Sequence, residues 1–397
     1  MNQMMLEIIS IELSSLWRIS KVSPNDKALL ILLFFFLYPL VIYPLILLVL
    51  PKKKHGSRNK KINKVSVLIA AYNEEEHIVD CINSVLESRK GDLEIEILIG
   101  SDGSDDKTVI KANKIESDLV KVFDFDRGGK NATINKLVEK ANYDTLLFLD
   151  ADFRLKKESI INIVDEFSNL DVGVIILPIE MIANEEQSNE GESIYQKYES
   201  FIRKKESQIS SCVNTLGGYI IEKETFELIG SNKYCDDLNS ILTSIRKRKR
   251  VYFSQDNTIL EVRESNFFED FKRRKRLVGG GLSTIFAFKD LLSFQFGWNS
   301  FFLWSHKVLR WFSSIFLLLT FILSLTMLNS LFGLITAYII ALLIVLSFVG
   351  LVLEKNEMKN PLKIPLFFIS MNIGFIIGIF QYLKGEQNAI WSRKGLD

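Results

Sequence analysis

The chain is poor in the residues that build cross-links and metal cages. Its three cysteines, Cys81, Cys212 and Cys235, are scattered without paired spacing, which excludes a disulfide framework and suits a reduced compartment. Its three histidines, His55, His77 and His306, have no metal-ligand spacing. None is assigned a catalytic role, and His306 reads as interfacial. Net charge is also missing: 49 basic groups face 48 acidic ones among 397 residues, so nothing commits the protein to nucleic acid. No internal repeat or low-complexity tract appears, and NEEQSNEGES (184 to 193) reads as a solvated loop.

What the chain does have is apolar mass, 48% of its residues, unevenly spread. Runs at 28 to 50, 308 to 328, 331 to 353 and 364 to 383 each approach the ~20 residues a helix needs to cross a bilayer. The first is too long and starts too late for a cleaved signal peptide, so it reads as a retained anchor. PKKKHGSRNKK follows it directly; basic flanks stay cytoplasmic, which puts residues 1 to 27 outside and the middle of the chain inside. Parity then sends the tail, 384 to 397, outside, whereas Lys384, Arg393 and Lys394 argue for the inside. Residues 266 to 306 hold a basic cluster and many aromatics, Phe294, Phe296, Trp298 and Trp304 among them, and read as amphipathic helices in the membrane interface. The expectation is a multi-pass protein of the plasma or inner membrane whose soluble domain, 62 to 265, is cytoplasmic. The four runs carry essentially no ionisable groups, unlike the spans of transporters.

That soluble domain alternates strand and helix patterns. KVSVLIA, LEIEILIG, LVKVF and DTLLFL are continuous apolar runs of strand length. Between them, segments such as HIVDCINSVLES place Ile78, Cys81, Ile82 and Val85 at helical spacing, with Asn73 and Glu76 patterned as a capping box. Repeated βα units with all-apolar strands predict a mostly parallel α/β sheet covered on both faces.

Ligands of open α/β sheets bind beyond the carboxyl ends of the strands. Tyr72 follows the first strand, Asp102 the second, and Asp150 and Asp152 the fourth. Residues i and i+2 of extended backbone point the same way, so Asp150 and Asp152 stand side by side. Two adjacent carboxylates repel unless a cation neutralises them, and hard oxygen donors suit Mg²⁺ or Mn²⁺. Turn chemistry also explains an Asp after a strand; position in register with Asp102 favours the metal. Gly-Gly-Lys at 128 to 130 opens a helix and is either a phosphate cradle using Lys130 or a turn with Asn131 as N-cap. Asp236 and Asp237 precede a helix whose apolar face is Leu238, Ile241, Leu242 and Ile245, where capping alone would explain them.

VSVLIAAYNEEEHIVDCINSVLES, EILIGSDGSDD, DRGGKNATINKLVEKA and LLFLDAD, in that order, resemble the family 2 glycosyltransferases of GT-A fold over residues 62 to about 280. The resemblance implies inverting transfer of a sugar from a nucleotide donor, usually UDP-linked. It implies that Ala71, Tyr72 and Glu74 line the nucleoside pocket, that Asp102 contacts uracil or ribose, and that Asp150 and Asp152 hold the metal on the diphosphate. An acidic pair placed like Asp236 and Asp237 supplies the base, usually the second member. TLGGYI resembles the acceptor-lining segment, with Gly217 and Gly218 allowing close backbone approach. In the membrane-bound branch, which includes hyaluronan, chitin and cellulose synthases, a Gln-x-x-Arg-Trp motif follows; here Arg273, Arg276 and Leu277 stand in those places, so an Arg to grip diphosphate is retained while Gln and Trp are missing.

Three functions fit: a membrane-embedded synthase extending a polysaccharide or glycan, a transferase adding one sugar to a lipid-linked acceptor, and a non-catalytic transporter or scaffold with a nucleotide-binding domain. Intact Asp102, Asp150, Asp152 and Asp237 argue against the third. The partners expected are a UDP-sugar, a glycan or lipid-linked acceptor and membrane lipid, with a second copy or an export partner if a polymer is to cross the bilayer.

Overall fold

A computed structural model describes residues 23–385 except 54–55, 59, 90, 183–189, 215–216, 231–234, 263–266 and 357. His55, Thr215, Leu216, Arg393 and Lys394 and most of the 184–193 segment therefore lie outside the described residues; the rest of that segment opens a helix.

Helix α1 (Pro24–Val49) comes first. Ser23 caps it by accepting a hydrogen bond from the Asp26 amide at 3.1 Å. It does not run as an ideal helix, because Pro39 and Pro44 lack the N–H that would close their turns; residues Tyr38–Ile42 relax into a π-helical turn instead.

Seven of the elements that follow are the expected alternation: β1 (Lys64–Ala71), α2 (Ile78–Glu87), β2 (Glu94–Asp102), α3 (Thr108–Asn113), β3 (Val120–Phe125), α4 (Lys130–Lys140) and β4 (Thr145–Asp150); the short β5 (Phe153–Leu155) and α5 (Ser159–Asn169) come next. Strands β1 and β4 are buried along nearly their whole length, which is why they read as unbroken apolar runs. The chain continues through β6 (Val174–Ile176), β7 (Ile179–Ile182), α6 (Glu190–Ile209), β8 (Tyr219–Glu222), α7 (Asp236–Arg246), β9 (Val251–Phe253) and β10 (Ile259–Val262).

The main sheet has the order β3-β2-β1-β4-β8-β6-β9. It is parallel except where β8 runs antiparallel between β4 and β6. This inserted strand matters for the site, because it pairs Tyr219 with Phe148 and so brings the residues just before it to the carboxyl end of β4. A second sheet, β5-β10-β7, packs beside that end. It holds the turn after β4 in place, as the Val262 amide donates to the Asp152 carbonyl at 3.0 Å.

Two departures from the sequence reading concern helix starts. Asn73 is not the cap of α2, which begins at Ile78. It adopts φ +53° and its side-chain oxygen accepts from the Asp105 amide at 3.0 Å, tying the loop after β1 to the loop after β2. Asn tolerates this left-handed backbone and forms such loop bonds readily. Asn131 is not a cap either: α4 starts at Lys130 after Gly129, and Asn131 is buried in its first turn.

Downstream lie α8 (Phe267–Ala287), α9 (Trp298–Leu325), α10 (Leu331–Lys355) and α11 (Lys363–Lys384). With α1, the last three are long and apolar enough to cross a membrane. Helix α9 absorbs aromatics expected to lie in separate interfacial helices. It also carries His306, Lys307 and Arg310, all buried, which corrects the expectation of spans without ionisable groups. The cost of His306 and Arg310 is offset by pairing with Glu199 of α6, and the Lys307 amine donates to Asn214.

One face of the main sheet shares a continuous core with these helices: Leu68 and Leu146 belong to the same buried cluster as Tyr43 and Leu47 of α1, Phe302 and Trp311 of α9, and Phe367 and Met371 of α11. Each such apolar side chain contributes about 1.5–3 kcal/mol through burial. The long helices are thus structural parts of the sheet domain. The other face is covered by α2 and α5.

Candidate active site

The carboxyl ends of β1 and β4 open onto one cleft, bounded by Lys130, Asp150, Gly217 and Asp236. Asp150 is the last residue of β4, and Asp152 sits in the turn before β5. Lys130, in the first turn of α4, donates to Asp150 Oδ1 at 2.8 Å and lies 3.1 Å from Asp236 Oδ2. Burial works against the charge of this amine, yet Asp150 and Asp236 more than offset that and hold its pKa well above the usual lysine range. One ammonium therefore joins the strand-end carboxylate pair to the acidic pair 86 positions further on, two features with no local connection in sequence.

Asp152 occupies an environment of excess negative charge. Burial, then Asp150, Glu261 and Glu74, push its carboxyl up to about 8, against the pull of Arg273. Glu261 comes from β10, opposite Phe153 in the register, and Arg273 of α8 reaches it at 3.5 Å. Glu261 is a site residue that sequence reasoning missed; as one Glu in a short strand beyond the motifs, it gave no signal.

Asp102 is completely buried at the end of β2. Its carboxylate accepts from Arg127, from the Gly128 amide at 2.7 Å and from the Gly129 amide at 2.9 Å. The Arg127 guanidinium also lies 3.3 Å from the centroid of the Tyr72 ring. Asp102 thus shapes the Gly-Gly loop and, through Arg127, the Tyr72 face. Arg127 lies inside the DRGGKN motif, but its pairing with Asp102 and Tyr72 depends on contacts with other strands that spacing does not show. Ala71 is buried within β1, and the Glu74 amide donates to Thr108 Oγ1 at 2.7 Å, anchoring the loop that carries Tyr72.

Asp236 and Asp237 begin α7, and Asp237 Oδ1 accepts from the Leu238 amide at 2.7 Å. Burial, then Asp236, raise the Asp237 carboxyl to about 6, against the pull of Lys130 and Lys307. Gly217, at φ +135°, borders Asp150: a Cβ there would come within 2.5 Å of the Phe153 ring and 3.7 Å of Asp150 Oδ2. Gly218 instead packs against Ile259 and leaves the cleft to Gly217. Arg276 is exposed, one turn along α8 from Arg273, and its charge is felt at Cys235 beside Asp237. Replacing Gly217 by Ala should therefore lower kcat/KM by about tenfold or more, since the methyl group displaces Phe153 beneath Asp150 and forces strained backbone; steady-state kinetics would check it, with a lowered melting temperature reporting the same strain.

Residues 66–228 match the model of the glycosyl transferase family 2. The chain carries a family 2 glycosyltransferase domain. Among curated relatives, a poly-beta-1,6-N-acetyl-D-glucosamine synthase of Staphylococcus epidermidis is 32% identical over 118 residues, covering 28% of this chain and 27% of the relative. A synthase of the same name from Staphylococcus aureus is 29% identical over 119 residues, 30% of this chain and 28% of the relative. The matched part is thus about a quarter of each relative's length. In overall structure the chain resembles a mannosyltransferase of Pyrobaculum calidifontis solved in complex with GDP-Man and Mn²⁺, with a TM-score of 0.69 at 16% identity over 91% of this chain and 99% of that one. The shared fold is GT-A, and the likeness extends over the long helices as well as the sheet.

The glycosyltransferase domain presents a donor set that fits a divalent cation. Among the described residues no cluster of three or more metal-ligating side chains forms. Two neighbouring carboxylates with a charge deficit around Asp152 suit Mg²⁺ or Mn²⁺, which commonly bind through one or two carboxylates and complete their shell with water and substrate phosphate.

Proposed function

We propose that the protein is an inverting glycosyltransferase that moves a sugar from a nucleotide diphosphate donor, UDP-linked by preference, onto a growing glycan at the membrane. The observation that carries this is the Lys130 bridge, which sets Asp150 and Asp152 on one side of a single cleft and Asp236 and Asp237 on the other. Asp150 and Asp152 would hold Mg²⁺ or Mn²⁺, which neutralises diphosphate charge as the sugar departs. Tyr72 and Arg127 offer a flat cationic surface to the nucleoside, with Ala71 and Glu74 in the adjoining loop. Arg273 and Arg276 face the phosphates from α8. Gly217 leaves room for the acceptor sugar beside Asp150.

In the reaction itself the acceptor hydroxyl attacks the anomeric carbon from the face away from the diphosphate. Asp237 takes the hydroxyl proton as the new C–O bond forms, and the bond from carbon to the diphosphate oxygen breaks with its electron pair leaving on UDP. Since the base must be ionised, kcat/KM should rise with pH through about 6 and then level, because the Asp237 carboxyl is raised to that value. A pH series under subsaturating donor would check this; a flat profile from pH 5 to 8 would remove Asp237 from the role.

The basic flank after α1 supports a cytoplasmic sheet domain, where sugar nucleotides are made. A second reading, one addition to a lipid-linked acceptor, is favoured by α8, which carries Arg273 and Arg276 and packs along α11, a helix long enough to span the membrane. Incubating the purified protein in lipid with a panel of sugar nucleotides and Mn²⁺ tests both. Nucleotide release with a water-soluble polymer supports the first, and release with an organic-extractable product the second. No release from any donor would refute both.

A further inference from the structure

A buried polar chain runs from α1 through α6 to Lys307 of α9 and is not used in the mechanism above. Tyr43 of α1 donates to Glu206 Oε1 at 2.5 Å, and His306 of α9 lies 2.7 Å from the same oxygen through Nδ1. Its Nε2 is 2.9 Å from Glu199 Oε2, which also accepts from Asn214 Nδ2 at 2.9 Å. Asn214 in turn accepts from the Lys307 amine. Glu199 is held well below the usual carboxylate range: burial opposes its charge, and His306, Arg310 and Arg203 outweigh burial.

A chain of contacts links Lys307 to Asp237 through α8. Lys307 lies 5.5 Å from the centroid of the Trp311 ring, one turn on in α9. That ring fills the space beside Gly281, where a Cβ would stand 2.4 Å from it. One turn further along α8, Thr284 Oγ1 accepts from the Cys235 amide at 2.9 Å, at the start of the helix that carries Asp237. The π-helical turn Leu303–Val308 supplies the extra residue that lets both His306 and Lys307 face inward.

Resting on the assignment of Asp237 as base, we infer that Lys307 is a positioning residue of the transfer step: a buried cation on a helix long enough to span the membrane, fixed by Asn214, which Glu199 holds in turn, that sets the charge around Asp237. The seating of α1 and α9 on α6 thereby bears on the chemistry as well as on the fold. The other charged or titratable groups facing Asp237 are Asp236 and Cys235 on its own segment, Lys130 from α4, Tyr219 from β8 and Arg276 from α8. Of the two lysines that draw the Asp237 carboxyl down, Lys130 is shared with Asp150 and Asp236, whereas Lys307 has no carboxylate within ion-pair distance among the described residues.

The test is the pH dependence of kcat/KM for wild type, Lys307→Met, Lys307→Arg and Asp237→Asn, all in lipid with UDP affinity as the control for folding. Lys307→Met should move the acidic limb upward by about half a pH unit or more, with the alkaline plateau kept within about threefold, and Lys307→Arg should return the limb to its original place. A limb that stays put in Lys307→Met, whether or not the plateau falls, overturns the inference while leaving Asp237 as base. A wild-type profile without a limb, or a limb that persists in Asp237→Asn, instead removes the base assignment and this inference with it. If Lys307→Met fails to bind UDP, Lys307→Gln, which keeps a donor for Asn214, takes its place with the same expected shift.

Discussion

Asp237→Asn should lower kcat by about 10²- to 10⁴-fold, the range lost with a general base, while UDP affinity stays within about threefold. The fold should survive, because the hydrogen bond that Asp237 makes to its own helix, from the Leu238 amide to Oδ1, can be made equally by an amide oxygen. Burial beside Asp236 also makes the charged form costly here, so the neutral amide removes a penalty. Capping as the sole role of Asp237 makes a different prediction: a small stability change of about 1 kcal/mol and near-normal turnover. Single-turnover measurements with saturating donor separate the two outcomes.

Asp152→Asn should be as damaging through a different term. Loss of one carboxylate from the pair removes several kcal/mol of cation-mediated charge stabilisation, and about 4 kcal/mol corresponds to roughly a thousandfold in rate. Stability should move the other way in the absence of metal. The Asp152 carboxyl is raised to about 8 by burial, Asp150, Glu261 and Glu74, so the native state holds its proton more tightly than the unfolded chain does. Stability from this group is then present at low pH and is lost as pH climbs from the ordinary carboxylate value toward about 8. At pH 8 and without metal, Asp152→Asn should melt no lower than wild type, and added Mn²⁺ should raise the melting temperature of wild type alone.

The sheet was legible because β1, β2 and β4 are buried along nearly their whole length and carry long apolar runs, while the edge strand β3, with Lys121 and Asp124 exposed, still shows an apolar Val120, Val122 and Phe123. Strands β5 to β10 were not, being only three or four residues long and placed by pairing with distant partners. The strand-end residues were legible for the same topological reason, and Asp150, Asp236 and Gly217 do meet at one cleft. What sequence spacing could not reveal was tertiary reach. Lys130 appeared as half of a glycine-lysine turn; its place between two acidic pairs depends on the first turns of α4 and α7 meeting through Lys130 and Asp236. Arg127 sits within a motif but gained its role only through distant partners, Glu261 and Lys307 sit in segments with no motif, and His306, read as interfacial, is buried between two glutamates of α6. Positive φ at Asn73 likewise overrode a plausible capping pattern through a contact with a loop 32 residues away.

The proposed transfer requires that carboxylates distant in sequence converge with Lys130 on one cation-dependent nucleotide site. Calorimetric titration of the protein in lipid with UDP and with GDP, each with and without Mn²⁺, tests this most directly. Affinity for one nucleotide should rise by at least about tenfold with Mn²⁺ in wild type and lose that gain in Asp152→Asn. Nucleotide affinity that ignores Mn²⁺, or a Mn²⁺ effect that survives in Asp152→Asn, would contradict it.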